Sequence, residues 1–311
     1  TPLGVTQAMG KATIAFGHAF DRSLPDLLVV LGDRYEMHAV VAASVPFLIP
    51  VAHIGGGVIT EGSIDDSFRH SITKMSHLHF PETEIFAKRI VQLGEHPSRV
   101  KTVGAMGLDN LKDLKWLSWI QLKNKFHLTC EKNPIIVTVH PETKNVHKTI
   151  LLVDNLLNVL QRFESPIIFT GPNSDTHGRR IKNKMLAYVE RHSNANFVEN
   201  FGAQGFYSLL KESVAMVGNS SSGIVEGPSF QLPVVNIGDR QKGRLFAENI
   251  ISIGITQKEI YEGIRKALSV PFNVKLRNIN NPYRQSSAAK KIANVLRKVP
   301  LNEKLILKPF C

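Results

Sequence analysis

Short apolar runs alternate along this chain with stretches of helical period. Residues 27–31 read as a buried strand, 34–44 as a helix, 50–53 as a strand, 65–75 as a helix, 78–80 as a short strand, 82–93 as a helix and 100–103 as a strand closed by Gly104. The strand runs are apolar throughout and do not alternate, the pattern of strands covered on both faces in a parallel sheet. The rhythm breaks over 111–132, a mixed and polar stretch with Trp116 and Trp119 that reads as a connection between domains. A second series follows: strands at 134–139, 166–169, 196–198, 213–217 and 233–236, helices at 148–163, 175–191, 207–211 and 223–230, and closing helices at 258–268 and 285–297.

This order predicts an α/β chain of two doubly wound Rossmann-like domains, residues 1–125 and 126–311, with the last helix packing back on the first domain. The chain opens Thr1-Pro2-Leu3, in a helical stretch and without an initiator Met. The first domain is therefore expected to lack an N-terminal segment. Ligands of doubly wound sheets sit beyond the carboxyl ends of the strands, so the expected site is a cleft between two facing domains.

Composition adds bounds. With 43% hydrophobic and 21% charged residues in 311, the chain is an ordinary globular one, which excludes wholesale disorder and a collagen-like fibre. Lys and Arg number 38 against 26 Asp and Glu, a net +12. That excess suits a polyanion or a phosphorylated ligand, or is a solvated basic surface. It is spread along the chain, with short clusters such as Arg179-Arg180 and Lys290-Lys291, which argues against a nucleic-acid stripe. Cys130 and Cys311 have neither metal-ligand spacing nor a disulfide framework. No signal peptide or membrane-length apolar run is read, so no membrane partner and a cytoplasmic setting are expected.

The candidate chemistry lies where strands end. Asp33, in Gly32-Asp33-Arg34-Tyr35-Glu36, is either an N-cap or a carboxylate aimed into the cleft. His53 precedes Gly55-Gly56-Gly57, three glycines that let backbone approach a ligand or form a plain turn. Asp65 is either an N-cap or a second carboxylate facing Asp33, a pairing that serves acid–base chemistry. His140, in His140-Pro141-Glu142-Thr143, suits proton transfer or is structural. Gly171-Pro172-Asn173-Ser174-Asp175 is a turn signal. Gly218-Asn219-Ser220-Ser221-Ser222-Gly223 follows a strand and opens a helix, an arrangement that favours phosphate, or is a Ser-rich cap. Glu226 then suits a ribose diol. Arg240, Lys242 and Arg244 would neutralise a phosphate or face solvent.

Five of these segments, at 32–36, 64–80, 140–143, 218–223 and 236–244, resemble in order and spacing the UDP-N-acetylglucosamine 2-epimerase family, most closely its hydrolysing branch from sialic and legionaminic acid biosynthesis. The resemblance covers about Leu24 to about Asn294. It implies a glycosyltransferase-B-like fold, a UDP-sugar substrate, no cofactor and no metal, and a homodimer or homotetramer. The implied reaction is anti elimination of UDP to a 2-acetamidoglucal, then hydration to N-acetylmannosamine or a related 2,4-diacetamido sugar. By motif, Asp33 and Asp65 match acid–base carboxylates and His140 a catalytic histidine near the leaving diphosphate. Ser220, Ser221 and Arg240 match diphosphate contacts, Glu226 the ribose carboxylate and Arg34 a substrate-side arginine. His53, Asn173, Gly218, Asn219 and Ser222 complete the expected binding set. The family also carries a glutamate two or five residues after the histidine matching His53. Here those positions are Gly55 and Val58, with Glu61 nearby. The alternatives are therefore a UDP-sugar-binding chain without turnover and a non-hydrolysing epimerase.

Overall fold

The computed structural model describes residues 1–173, 175–285 and 287–311. Ser174 of the predicted turn and Ser286 of the last predicted helix lie outside the described residues. In chain order the elements are α1 (Pro2–Arg22), β1 (Leu28–Leu31), α2 (Tyr35–Ser44), β2 (Val51–Ile54), α3 (Asp65–Met75), β3 (Leu78–Phe80), α4 (Glu84–Gln92) and α5 (Trp119–Phe126). They continue with β4 (Ile135–Thr138), α6 (Val146–Leu160), β5 (Ile167–Thr170), α7 (Gly178–Val189), β6 (Ala195–Val198), α8 (Gly202–Glu212), β7 (Ala215–Gly218) and α9 (Ser222–Val225). The last are β8 (Val234–Ile237), β9 (Ile250–Ile253), α10 (Gln257–Ala267), α11 (Val270–Lys275), α12 (Ala288–Leu296) and α13 (Glu303–Ile306). None of these helices is long and apolar enough to cross a membrane. The chain divides into two compact units, the first made of residues 1–60, 64–109 and 283–311, the second of 61–63 and 110–282.

In the first unit three parallel strands run in the order β1-β2-β3, with Leu28 level with Val51 and Ala52 level with Leu78. The central strand is buried at all four positions. Its side chains alternate between two cores, as the period of a strand requires. Val51 packs with Phe20, Val40, Val41 and Ile72, whereas Ala52 and Ile54 pack with Phe80, Val103, Ala288 and Ile292. The strand expected at 100–103 is reduced to one bridge between His79 and Val100. The amides of Lys101 and Val103 still donate to the carbonyls of His79 and Pro81. The ladder stops because Pro81 has no N–H to return.

The second unit holds six parallel strands in the order β6-β5-β4-β7-β8-β9. Winding reverses between β4 and β7, which makes their carboxyl ends the switch point where doubly wound sheets bind ligands. Alternation again separates the two faces. Ile135 and Val137 pack with Leu152, Phe169, Ile181 and Ile260, and Ile136 packs with Leu122, Ile168, Leu209 and Met216.

Three readings are corrected here. The stretch at 111–132 holds α5, opened by a Ser118–Gln121 capping box, and its Leu122 is completely buried. The helix expected over 223–230 is split into α9 and a 3-10 turn at Gly227–Phe230, because Pro228 cannot donate to a continuing helix. The sheet gains an edge strand, β9, that its polar Ser252 conceals in the sequence.

Candidate functional site

The carboxyl ends of β4, β5 and β7 enclose a cavity of about 580 Å³ lined by Thr138, His140, Thr170, Gly171, Asn173, Glu199, Phe206, Tyr207, Ser220, Ser222 and Glu226, among others. Its floor is fixed by close packing. The Thr138 and Thr170 hydroxyls lie 2.6 Å apart across β4 and β5. Gly218 ends β7 with φ +137°, and a Cβ there would stand 1.9 Å from the Thr138 carbonyl oxygen, so only glycine lets β7 end this close to β4.

His140 is held on both its backbone and its ring. Its N–H donates to the Asn219 side chain (2.7 Å) and its carbonyl accepts from Asn219 Nδ2 (2.9 Å). Ring Nδ1 lies 3.1 Å from the Asn173 backbone nitrogen. A backbone N–H only donates, so Nδ1 carries no proton and the neutral ring bears its hydrogen on Nε2. Burial, and then the positive charge of Arg240, push the imidazole down to about 3. His140 is thus a neutral hydrogen-bond donor at neutral pH. Ser220 Oγ accepts from the Ser222 amide (3.3 Å), folding the serine run over the end of β7. Tyr207 is pushed up to about 12 by burial and by the charge of Glu226. A deep neutral phenol beside a carboxylate suits a hydroxyl-rich, uncharged ligand part at this end of the cavity.

Of the expected binding residues in this unit, His140, Asn173, Ser220, Ser222 and Glu226 line the cavity together. Gly218, Asn219 and Arg240 lie behind the wall. Asn219 is completely buried, and its carbonyl accepts from Arg240 Nη1 (3.2 Å) and Gln241 Nε2 (2.7 Å). Ser221 caps α9 through its carbonyl, which accepts from the amides of Ile224 and Val225.

The first unit brings together a separate cluster at the carboxyl end of β1. Its centre is Arg69 on α3, only 1% exposed. The guanidinium binds the Asp33 carboxylate, Asp66 Oδ1 (2.8 Å), Thr60 Oγ1 (2.9 Å) and the Val58 carbonyl (2.8 Å). Asp66 also accepts from the Thr60 amide (2.8 Å). Asp33 is therefore an ion-paired carboxylate and not an N-cap; α2 is capped by Arg34, without a side-chain bond. Likewise the N-cap of α3 is Ile64, and Asp65 is the helix's first, buried residue. Arg34 reaches Glu36 (3.2 Å) and lies over the Tyr35 ring.

His53 is completely buried, with Nε2 2.9 Å from the Gly32 carbonyl and Nδ1 3.3 Å from the Thr73 hydroxyl. Burial lowers it to about 4, so it is neutral and braces the turn that carries Asp33. The glycine run after it serves packing. A Cβ on Gly56 would meet the His53 ring at 3.0 Å, and one on Gly57 would meet the Phe86 carbonyl at 2.2 Å. Val58 is buried (4% exposed) and offers only its carbonyl, to Arg69. Glu61 is paired with Lys242 (3.3 Å).

The sequence reading missed Arg69, Thr60 and Gln241. An acid three residues before Arg69 on one helix face was a usable signal. Its bond to Asp33, 36 residues away, left none.

A family model described as UDP-N-acetylglucosamine 2-epimerase matches residues 3–297. A Campylobacter jejuni protein named GDP/UDP-N,N'-diacetylbacillosamine 2-epimerase (hydrolyzing) is 42% identical over 251 residues, 80% of this chain and 65% of the relative. The chain thus spans just under two thirds of that relative. A Legionella pneumophila UDP-N,N'-diacetylbacillosamine 2-epimerase (hydrolyzing) is 31% identical over 98% of this chain and 79% of its own. Among solved structures, a Neisseria meningitidis UDP-GlcNAc 2-epimerase bound to UDP-GlcNAc superposes with a TM-score of 0.79 at 20% identity, covering 95% of this chain and 82% of that one. At that identity the likeness establishes the fold.

Proposed function

The chain belongs to the UDP-N-acetylglucosamine 2-epimerase family, on its hydrolysing branch, and on that premise we propose that it converts a UDP-linked 2-acetamido sugar and water to UDP and the free, C2-inverted sugar. A base removes the C2 proton as the C1–O bond to the diphosphate breaks, leaving a 2-acetamidoglucal. Water then delivers hydroxyl to C1 and a proton returns to C2 on the opposite face. The names of the Campylobacter and Legionella relatives favour a 2,4-diacetamido sugar of the bacillosamine type as substrate.

One observation carries the reading. His140, Ser220, Ser222 and Glu226 share a single cavity at the switch point of the second unit. Glu226 would accept the ribose hydroxyls, the serines and the neutral His140 Nε2–H would donate to the diphosphate, and Arg240 would supply charge from behind. Asp33 and Asp65 are the acid–base candidates. Arg69 orients the Asp33 carboxylate through their ion pair, and general-base catalysis needs such positioning. The homo-oligomer and the cytoplasmic setting expected from the sequence belong to the same proposal.

A second reading has its own observation. Val58, one of the two positions (with Gly55) where the resemblance implies a glutamate, is buried and transfers no proton, and Glu61 is paired with Lys242. On this reading the chain binds UDP-sugar without turnover. An assay of UDP release from UDP-N-acetylglucosamine and from UDP-N,N'-diacetylbacillosamine, with proton NMR of the sugar, decides. Released UDP with an inverted free sugar supports the first reading. UDP binding by calorimetry without release supports the second. Neither binding nor release overturns both.

A further inference from the structure

Three loops converge on one side chain behind the cavity wall. Asn219 is completely buried. Its amide makes two bonds to a single residue, Oδ1 accepting from the His140 N–H at 2.7 Å and Nδ2 donating to the His140 carbonyl at 2.9 Å. Only this orientation works, because a backbone N–H cannot accept and a carbonyl cannot donate. The Asn219 backbone extends the junction: its N–H donates to the Thr138 carbonyl (3.1 Å), and its carbonyl accepts from Arg240 Nη1 (3.2 Å) and from Gln241 Nε2 (2.7 Å). The ends of β4, β7 and β8 are thereby tied at one residue that has no surface of its own.

We propose that Asn219 is a positioning residue, which locks the backbone of His140 so that its ring Nδ1 meets the Asn173 amide and its Nε2–H is the donor offered to the ligand, while fixing Arg240 in register behind the same site. This rests on the nucleotide-sugar reading of the cavity. It reassigns Asn219 from a ligand contact to a residue that acts through its neighbours. With the clamp in place, one ring tautomer survives. Without it, His140 loses both ties on its own backbone although Glu142 stays anchored to Thr149, the ring's bond to Asn173 loosens, and both tautomers are populated.

The test uses the full chain in three forms: unaltered, Asn219→Ala and Gln241→Met. The readouts are the His140 ring nitrogens by two-bond proton–nitrogen NMR without ligand, and UDP affinity by calorimetry. The unaltered chain is expected to show His140 solely as the Nε2–H tautomer. Asn219→Ala is expected to show averaged ring-nitrogen shifts and to weaken UDP roughly 5- to 20-fold, the loss of one to two hydrogen bonds' worth of alignment. Gln241→Met, which removes one of the two donors to the Asn219 carbonyl and leaves the side-chain clamp intact, is expected to leave the tautomer unchanged. If Asn219→Ala does not fold, Asn219→Ser is measured in its place, which still cannot span both backbone groups. A His140 tautomer and UDP affinity unmoved in the Asn219 variant would overturn the proposal, as would loss of the tautomer in Gln241→Met. An unaltered chain that binds no UDP would count against the proposed function, and the ring nitrogens alone would then decide the role of Asn219.

Discussion

Replacing Arg69 by Met tests the first unit's site at its keystone. The methionine keeps the length and apolar stem of the side chain, so the packing of α3 changes little. What disappears is one guanidinium that serves Asp33, Asp66, Thr60 Oγ1 and the Val58 carbonyl from a position 1% exposed. Asp33 loses its paired cation, and Asp66 loses its ion pair with the same guanidinium. Removing one partner of such a buried pair costs about 3–5 kcal/mol. At roughly 4 °C per kcal/mol for a unit of this size, the expected fall in Tm is about 12–20 °C by scanning calorimetry. Arg69→Lys should fall between the two, because an ammonium keeps the charge but cannot present a planar fork to four acceptors. The pairing itself is read from a double-mutant cycle with Asp33→Asn, where a coupling of about 1.5–3 kcal/mol is expected for a charged hydrogen bond. An Arg69→Met variant melting within about 3 °C of the unaltered chain, with no coupling to Asp33, would refute the argument.

Other consequences follow from the same packing. Burial pushes Glu95 up, but hydrogen bonds from His79, Lys308 and Lys74 outweigh it and hold the carboxyl at about 2. A depressed carboxyl adds stability that is complete above its unfolded value of about 4.3 and is lost as pH falls towards 2. The Tm advantage over Glu95→Gln should thus be constant above about pH 5 and lose most of its size by about pH 2, and parallel melting curves down to pH 2 would contradict it. Gly218→Ala places a Cβ 1.9 Å from the Thr138 carbonyl oxygen, so UDP binding should be abolished and Tm lowered; calorimetry showing native affinity would count against the close approach. Burial raises the Cys130 thiol to about 11, so a disulfide reagent at pH 8 should label one thiol per folded chain, the exposed Cys311, and a second only after denaturation.

Much of this architecture was written in local pattern. The helix at 65–75 and the strand at 78–80 match their predicted bounds, because an acidic first turn, Ser76 at the helix end and a short apolar run mark them. The 100–103 strand was misread because its outcome depends on Pro81, a residue of the neighbouring strand's exit rather than of the segment itself. β9 was missed because Ser252, on its exposed face, interrupts the isoleucines of a short edge strand. The motif residues of the second unit were legible as a set, but not which of them face the cavity. Asn219 and Ser220 are neighbours of similar polarity, and only the approach of β7 to β4 turns one inward and the other outward. His53 reads as a ligand from its place after a strand, yet its ring is consumed by Gly32 and Thr73. Arg69 was invisible as a partner of Asp33 for the same reason: the bond joins two motifs that sequence can place in order but not in space.

The most direct test of the account is the fate of the C2 hydrogen. The reaction is run in heavy water with UDP-N,N'-diacetylbacillosamine, and the free sugar is examined by proton NMR and mass spectrometry. Elimination followed by hydration predicts one solvent deuterium at C2 of a sugar inverted at that carbon, with an equal amount of UDP. Release of UDP with a sugar that retains its C2 proton and configuration would mean simple cleavage at C1, and would contradict the proposed chemistry.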